Sequence, residues 1–221
     1  MTEAKESRPT RRYRSAVREE SARRTRQAVV AAARDLFTER GYATTSLADV
    51  AAVAGVARPT VFAAFGSKPA LLRQVLDEAL AGDDEPVAVA DRPWFRPVRE
   101  ATTQQGVLDA YAEVCRLIGG RAARIFETVR KASDDAVEVG EVWEMLLRNR
   151  RIGAGTVAVR LAELGPLRAG VDVDRATDIV WHFNDPAHYD SLVLRCGWDE
   201  QVFRDWLASQ LKHALLVQAR A

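Results

Sequence analysis

Residues 46–65 read Ser-Leu-Ala-Asp-Val-Ala-Ala-Val-Ala-Gly-Val-Ala-Arg-Pro-Thr-Val-Phe-Ala-Ala-Phe, and this stretch decides the fold. Ala51 is small enough to let two helices approach closely, and Gly55 can adopt the positive φ that a tight turn between them requires. The other apolar residues have the spacing of buried helix faces: Val50, Ala54, Val56, Val61 and Phe65. The pattern predicts a helix-turn-helix, with an ordinary helical hairpin as the alternative.

The charge distribution favours a nucleic-acid partner at this end of the chain. Residues 1–82 contain 14 Lys and Arg against 9 Asp and Glu, whereas residues 83–221 contain 18 against 22. The formal net charge of +1 hides this asymmetry. In a helix-turn-helix that binds DNA, the second helix, expected here at about 58–65, lies in the major groove.

The cysteines and the apolar runs indicate the compartment. Cys115 and Cys196 lie far apart with no second Cys or His at metal-ligand spacing, so they predict neither a metal site nor a disulfide framework. No apolar run approaches the roughly 20 residues that span a bilayer, and the Arg-rich N-terminus lacks the apolar core of a signal peptide. We expect a cytoplasmic protein with no membrane partner and no cofactor.

Residues 1–20 lack apolar periodicity and are expected to form a basic, disordered arm. The arginines of this arm are Arg8, Arg11, Arg12, Arg14 and Arg18. The arm either contacts phosphates or the minor groove, as homeodomain arms do, or is a solvated tail.

Residues 21–82 have the helix signals of a small N-terminal domain. Residues 21–40 carry apolar side chains at three- and four-residue steps, which predicts a first helix. Ser46 and Asp49 favour the start of the second helix, and Ser67 precedes a fourth. The run Gly82-Asp83-Asp84-Glu85-Pro86 then stops the fourth helix. We place the domain boundary there, between 21–82 and 83–221.

Helical periodicity continues through most of residues 83–221, after an irregular connection that ends near Pro97. The first expected helix is long and runs through Gly119-Gly120, with a break at this pair as the alternative. The others are a second helix ended by Gly165-Pro166, a third capped by Asp172 or Asp174, a short helix around Tyr189 to Leu194, and a last helix from Trp198-Asp199. No segment alternates over enough residues to predict a sheet. The predicted class is all-α, with about nine helices.

The order of these elements resembles the TetR family of bacterial transcriptional regulators. The residues that carry the resemblance are Ala32-Ala33, Leu36-Phe37, Gly41-Tyr42, Thr45-Ser46, Val50-Ala51, Gly55-Val56, Thr60-Val61-Phe62, Phe65-Gly66-Ser67-Lys68 and Leu71-Leu72. The resemblance implies a homeodomain-like three-helix head, linked by the fourth helix to a helical body for ligand binding and dimerisation. It further implies a homodimer whose heads bind the two halves of a palindromic double-stranded DNA operator.

The residues predicted to contact DNA are Arg24, Thr45, Ser46, Arg58, Pro59, Thr60, Phe62, Ala63 and Lys68. The resemblance assigns phosphate contacts to Thr45, Ser46 and Lys68. Arg58 is the candidate for a guanine edge, with a phosphate contact as its alternative. At Phe62, where Tyr is frequent in the family, a phenolic hydroxyl is missing. We therefore expect Arg58 and the basic arm to carry more of the binding.

The body of such regulators commonly encloses a small-molecule pocket whose filling moves the fourth helix and re-spaces the heads. The candidate lining residues are Trp94, Phe95, Tyr111, Cys115, Phe126, Trp143, Leu147 and Trp181. Each has core packing as its alternative. Arg124 and Arg150 are candidate partners of an acidic ligand, but a solvated position is the default for both.

The last helix carries a wide apolar stripe, formed by Phe203, Trp206, Leu207, Leu211 and Leu215. Such a stripe packs against either the body or a partner. Because the family usually builds its dimer interface from the last two long helices, the resemblance implies that this stripe is the interface.

The residues alone leave two alternatives to a ligand-released repressor: a metal-dependent enzyme, and a DNA-binding regulator that needs no ligand. His182, Asp185 and His188 are spaced at three-residue steps, but Pro186 interrupts any helix there, so these side chains need not converge on a metal. No phosphate-binding glycine loop or nucleophile elbow is present in the sequence. We therefore expect a DNA-binding regulator and no enzyme. A ligand-released repressor is the main hypothesis, with a regulator that needs no ligand as the alternative.

Overall fold

The computed structural model describes the backbone of residues 11–217 and the side chains of residues 18–217. Its helices are α1 Arg11–Arg40, α2 Leu47–Val53, α3 Arg58–Phe65, α4 Lys68–Ala81, α5 Arg96–Glu100, α6 Gln104–Ala132, α7 Val137–Leu164, α8 Val173–Phe183, α9 Pro186–Tyr189 and α10 Glu200–Leu215. Over this range no strand forms, and the only extended pairing is an isolated bridge between Leu167 and Leu216. The predicted all-α class is confirmed.

The caps read from the sequence set the helix ends of the head. The Ser46 hydroxyl accepts the N–H of Asp49, and the Asp49 carboxylate accepts the N–H of Ser46, which forms a capping box at the start of α2. Ser67 caps α4 in the same way by accepting the N–H of Ala70. Gly82 ends α4 in the left-handed region, at φ +94°.

Helix α1 begins at Arg11 rather than at the predicted Ser21. Residues 11–20 extend the helix instead of forming an irregular arm, because the sequence from Arg11 to Arg40 contains no Gly or Pro and is rich in Arg, Ala and Glu, which are good helix formers. Arg8 lies outside the described residues, as do the side chains of Arg11, Arg12 and Arg14.

The connection between α4 and α5 is organised by one buried arginine. Arg92 is 4% exposed, and its Nη1 donates to both carboxylate oxygens of Asp83 at 2.6 and 2.7 Å. Its Nη2 and Nε donate to the carbonyls of Glu85 and Val87. This segment was predicted to be irregular, and Arg92 gives it a fixed shape because every nitrogen of the guanidinium has a partner.

Helix α6 runs unbroken through Gly119-Gly120, so the prediction of one long helix is confirmed. The glycines are there because the ring of Tyr189 lies directly on the helix: a Cβ at Gly119 would come 2.6 Å from the Tyr189 ring. The missing side chain therefore permits a close approach of α9 to α6.

The described residues form two hydrophobic cores, and the head core extends across the predicted domain boundary. The head core joins α1, α2, α3 and α4 with the far end of α6 and the first half of α7, including Phe126, Val139 and Leu146. The body core joins the rest of α6 and α7 with α8 and α10. Ile118 packs against both clusters. The head is thus continuous with two body helices.

Candidate nucleic-acid interface

Helices α2 and α3 are bent by 111° relative to one another across a tight turn. Gly55 has φ +68°, and the turn is closed by bonds from the Gly55 N–H to the Ala52 carbonyl and from the Val56 N–H to the Ala51 carbonyl. Val50 and Val61 are fully buried beneath the turn. This angle is typical of DNA-binding helix-turn-helix units.

The outer face of α3 is presented to solvent. Val61 anchors the helix, and the residues predicted to face the groove are exposed: Arg58, Pro59, Thr60, Phe62 and Ala63. Phe62 retains 62% exposure, which is high for a large apolar side chain in a protein of this size. An exposed aromatic side chain beside Arg58 and Thr60 gives this helix the mixed apolar and polar surface that base edges and thymine methyl groups bind.

The structure corrects the prediction for Thr45. Thr45 is only 1% exposed, and its hydroxyl donates to the carbonyls of Gly41 and Leu36 at 2.9 and 3.3 Å. The side chain closes the turn after α1, so its hydroxyl is not available to a phosphate. Ser46 remains exposed, although its hydroxyl is already bonded to Asp49 at 2.6 Å.

Lys68 is also held within the head. Its Nζ donates to the carbonyls of Tyr42 and Ala43 at 2.7 and 3.4 Å and lies 4.1 Å from the centroid of the Tyr42 ring. Partial burial lowers the pKa of Lys68. Lys68 therefore fixes the turn between α1 and α2, which places the start of α2.

Two arginines of α1 have different roles. Arg24, predicted to contact DNA, is exposed and forms an ion pair with Glu20 one turn earlier at 2.9 Å. Arg26, for which no role was predicted, donates from Nη1 to the Ala64 carbonyl at 2.8 Å and lies 4.5 Å from the Phe65 ring. Arg26 thus ties α1 to the end of α3. Only its basic charge next to the helix-turn-helix was visible in the sequence.

Several of the predicted ligand residues come together in the body around Arg150. The Tyr111 hydroxyl accepts a hydrogen bond from the Asn184 amide at 2.9 Å, and the Arg150 guanidinium lies 5.3 Å from the Phe126 ring and 5.7 Å from the Trp181 ring. The rings of Trp143 and Phe126 are 5.0 Å apart, and Leu147 is one turn from Trp143 on α7. Burial raises the pKa of the neighbouring Cys115 thiol to about 12. We call Tyr111, Phe126, Arg150, Trp181 and Asn184 the Arg150 cluster.

Trp94 and Phe95 do not belong to this cluster. Phe95 is buried in the body core, and Trp94 packs 4.9 Å from the guanidinium of Arg121. Arg121 in turn approaches Gly82 so closely that a Cβ at Gly82 would collide with it. A groove of about 600 Å³ lies nearby, between α1, α4 and α6, and none of the eight predicted ligand residues lines it.

The prediction that the apolar stripe of α10 forms the dimer interface is largely wrong. Phe203, Leu207, Leu211 and Leu215 are 0–2% exposed and pack into the core of their own chain, because α10 lies across α6 and α8. Trp206 alone is partly exposed. Its ring lies 6.1 Å from Trp198 and 6.3 Å from His188, and Val202, one turn before it, is 55% exposed. The periodicity of α10 correctly indicated that this stripe is buried. It did not indicate that the stripe packs against the core of its own chain.

The His182 and His188 rings lie 5.3 Å apart, but Asp185 is directed toward Arg150 and the start of α9, so the three side chains do not form one site. Nε2 of His188 lies 3.1 Å from the backbone carbonyl of His182, and Asp185 caps α9 while its other oxygen lies 3.2 Å from Arg150. Over the described part of the chain, no group of three or more His, Cys, Asp or Glu has the arrangement of a metal site. No single helix there is long and apolar enough to cross a membrane, although the bent α2–α3 pair meets the length and composition criteria together.

The fold and the exposed face of α3 define a helix-turn-helix regulator of transcription. Residues 29–75 match the family model of bacterial regulatory proteins of the tetR family. The matched segment is the helix-turn-helix head, and over it the chain is similar to the TetR family.

Three known proteins are similar to this chain over most of its length. The HTH-type transcriptional regulator TtgR of Pseudomonas putida is 26% identical over 179 residues, which cover 80% of this chain and 81% of that protein. The crystal structure of NalD, the secondary repressor of the MexAB-OprM multidrug efflux pump in Pseudomonas aeruginosa, has a TM-score of 0.69 at 18% identity, over 89% of this chain and 98% of NalD. FadR of Bacillus subtilis, in complex with stearoyl-CoA, has a TM-score of 0.65 at 16% identity, over 84% of this chain and 96% of FadR.

Proposed function

We propose that this regulator is a homodimeric repressor that binds a palindromic operator through α3 and is released by a small-molecule ligand. The observation that carries the proposal is the α2–α3 unit, whose buried side supports an outer face with an unpartnered, exposed Arg58. Within the described residues, Arg58 forms no hydrogen bond and no ion pair. Its guanidinium is free to bind a guanine edge in the major groove.

We call the partly exposed apolar surface formed by Trp198, Val202 and Trp206 the Trp206 face. A second copy of the chain is its expected partner. Trp198, Val202 and Trp206 follow one another at four-residue steps along one side of α10 and its N-terminal approach, so they form one partly exposed apolar stripe. We infer that two copies pack through this stripe, which replaces the buried stripe predicted from the sequence. A two-fold axis there would give the two heads the symmetry of a palindrome.

Release by a ligand has a physical route through the continuous core. Body helices α6 and α7 contribute side chains to the head core, and Arg121 of α6 packs against Gly82 at the end of α4. A ligand that separated α6 from α7 would therefore displace α4 and the head. NalD is described as a repressor and FadR as a complex with stearoyl-CoA. Those descriptions support a repressor with a small-molecule ligand here.

Selection of bound sequences from a random pool of duplexes tests the DNA-binding part directly. We expect the full chain to enrich a palindrome whose half-site centres lie about one helical turn, or a multiple of it, apart. Light scattering of the protein with the selected duplex would give an even number of chains per operator. An enriched site without internal symmetry would contradict the dimer, and no enrichment at all would contradict sequence-specific binding.

A further inference from the structure

The groove of about 600 Å³ between α1, α4 and α6 lies where the head meets the body, and we call it the head–body groove. Three arginines line it. Arg34 comes from α1 on the head side, and Arg121 and Arg124 come from α6 on the body side. The groove therefore brings guanidinium groups of the head and of the body to one space.

The two arginines that the sequence offered as partners of an acidic ligand lie in different surroundings. The Arg150 side chain is 9% exposed and is bonded to Asn184 and paired with Asp185, so the solvated default was wrong for this residue. Arg124 is exposed, and within the described residues its side chain has neither a hydrogen bond nor an ion pair. Of the two, Arg124 is the one that is free to bind an acid.

Arg121 lies one turn before Arg124 on α6 and is partly buried. Its Nε donates to the Leu117 carbonyl at 3.1 Å, and its guanidinium lies 4.9 Å from the Trp94 ring, but its buried Nη2 has no hydrogen-bond partner. A buried donor without an acceptor destabilises the fold, and like charges one turn apart on a helix repel each other. An anion bound to both guanidinium groups would relieve both effects.

The carboxylates of the groove do not supply this anion. Four of them line it: Asp35, Glu39, Glu78 and Asp83. Three already bind other side chains: Asp35 binds Arg34, Glu78 binds Gln74, and Asp83 binds Arg92. Glu39 is the fourth and has no such partner among the described residues. No hydrogen bond from Arg121 or Arg124 reaches any of these four carboxylates in the described part of the chain.

We propose that the head–body groove binds a phosphate monoester, whose phosphate oxygens accept hydrogen bonds from Arg121 and Arg124. A phosphate group has three terminal oxygens and nearly two negative charges near neutral pH, which matches two guanidinium groups better than a carboxylate does. Arg34, whose pair with its sequence neighbour is a surface contact, extends the positive surface to α1. The free carboxylate of Glu39 is an acceptor for hydroxyl groups of the ester. This site lies outside the body core and goes beyond the proposed function.

Three sugars that differ only at carbon 6 test the assignment: glucose, glucuronate and glucose 6-phosphate. Isothermal titration calorimetry with the full-length protein, near neutral pH and at constant ionic strength, measures their affinities. We expect glucose 6-phosphate to bind at least about tenfold more tightly than glucose, because hydrogen bonds between charged groups are the strong ones. Glucuronate, with one charge and two oxygens, is expected to bind with intermediate affinity.

The variant Arg124→Gln removes one of the two guanidinium groups from an exposed position. It should weaken the binding of glucose 6-phosphate at least about fivefold and leave the affinity for glucose unchanged. Arg130→Gln is the matched control, since Arg130 is also an exposed arginine of α6, is bonded to Glu127 and does not line the groove. It should leave both affinities unchanged. Circular dichroism checks that each variant is folded.

The outcomes separate this inference from the proposed function. Equal binding of glucose 6-phosphate and glucose, equal binding of glucose 6-phosphate and glucuronate, an unchanged affinity in Arg124→Gln, or an equal loss in Arg130→Gln would each overturn the inference. Operator binding by the same protein samples reports on the proposed function independently. A protein that binds its operator but shows no preference for the phosphate would keep its role as a DNA-binding regulator and lose this site.

Discussion

Three polar residues at the head show that a side chain's role depends on what it already binds. The Thr45 hydroxyl is used by the carbonyls of Leu36 and Gly41, and the Lys68 ammonium by that of Tyr42. Arg58 has no such partner within the described residues. The head therefore has two polar groups that place α2 and one that is free to read DNA.

The Thr45 assignment predicts a stability effect. Replacing Thr45 with Val keeps the shape of the side chain but removes the buried hydroxyl that donates to the Gly41 and Leu36 carbonyls, so unfolding should become easier by about 1–3 kcal/mol. Urea denaturation monitored by circular dichroism measures this. Thr60→Val, on the exposed face of α3, should change stability by less than about 0.5 kcal/mol. If Thr45→Val lost affinity for DNA while its stability stayed unchanged, Thr45 would be assigned as a phosphate contact after all.

At this scale the sequence could predict which residue types lie near DNA but not which groups are already bonded. Thr44 and Thr45 are identical in type, and only the backbone turn after Gly41 decides that Thr45 points inward. Arg150 is a similar case. A charged residue in the middle of an amphipathic helix is usually solvated, and only the crossing of α7 with α8 shows that it is buried.

The helices are placed by a few close contacts, one of which is that of Gly119 with the Tyr189 ring. A Cβ at Gly119 would lie 2.6 Å from the Tyr189 ring, so Gly119→Ala should push α9 away from α6 and cost about 1–3 kcal/mol of stability. Gly153 on α7 is the matched control, because a Cβ there meets nothing within 4 Å. Gly153→Ala should raise stability by about 0.5–1 kcal/mol. Equal effects in urea denaturation would show that the close approach is not needed.

Helix α1 is attached to the segment after α4 by a carboxylate. Asp84 accepts from Nε and Nη2 of Arg23 at 3.0 and 2.9 Å and from Gln27 at 3.1 Å, and these hydrogen bonds lower its pKa to about 2. A depressed folded-state pKa stabilises the protein above the unfolded-state value, near 4, and that contribution disappears as the pH falls from about 4 to about 2.

The substitution Asp84→Asn should therefore lower stability at pH 7 and reduce the dependence of stability on pH between about 4 and 2. Urea midpoints across this range measure the effect. Glu85→Gln, which removes only the longer 3.4 Å contact of the same arginine, is the control and should keep the acid dependence of the parent protein. An identical pH profile in Asp84→Asn would show that Arg23 does not bind this carboxylate in solution.

Helix ends were largely predictable, whereas helix partners were not. The caps Ser46, Ser67, Asp172 and Asp199 all begin helices in the structure, because capping is a local interaction. The stripe on α10 is non-local. The periodicity of the α10 stripe indicates that the stripe is buried. Whether it packs against α6 or against a second chain depends on how all the body helices are arranged.

At the scale of the whole molecule, the head core extends into the body helices α6 and α7, and the Trp206 face is partly exposed. The sequence placed a boundary at Gly82, but Phe126, Val139 and Leu146 of the body complete the head core. The head core therefore extends across the boundary expected at Gly82. The proposed release of DNA by a ligand relies on this shared packing.

The Trp206 face predicts the assembly state. Trp206→Glu, or Val202→Glu where less of the side chain is buried, should place charges in the interface and convert the protein to a monomer at micromolar concentration. Light scattering after size-exclusion chromatography measures the mass, and circular dichroism checks the fold. Val137→Glu is the control, since Val137 is 79% exposed at the start of α7. A dimer that survives both α10 substitutions would place the interface elsewhere.

The central claim, that α3 reads base pairs through Arg58, is tested most directly by one binding cycle. The affinities of the parent protein and of Arg58→Ala are measured by fluorescence anisotropy at one salt concentration, for the selected operator and for a random duplex of equal length. We predict a loss of about 1–3 kcal/mol on the operator, a much smaller loss on the random duplex, and relaxed preference at a single base pair of each half-site. Equal losses on both duplexes would reduce Arg58 to a phosphate contact and contradict the claim.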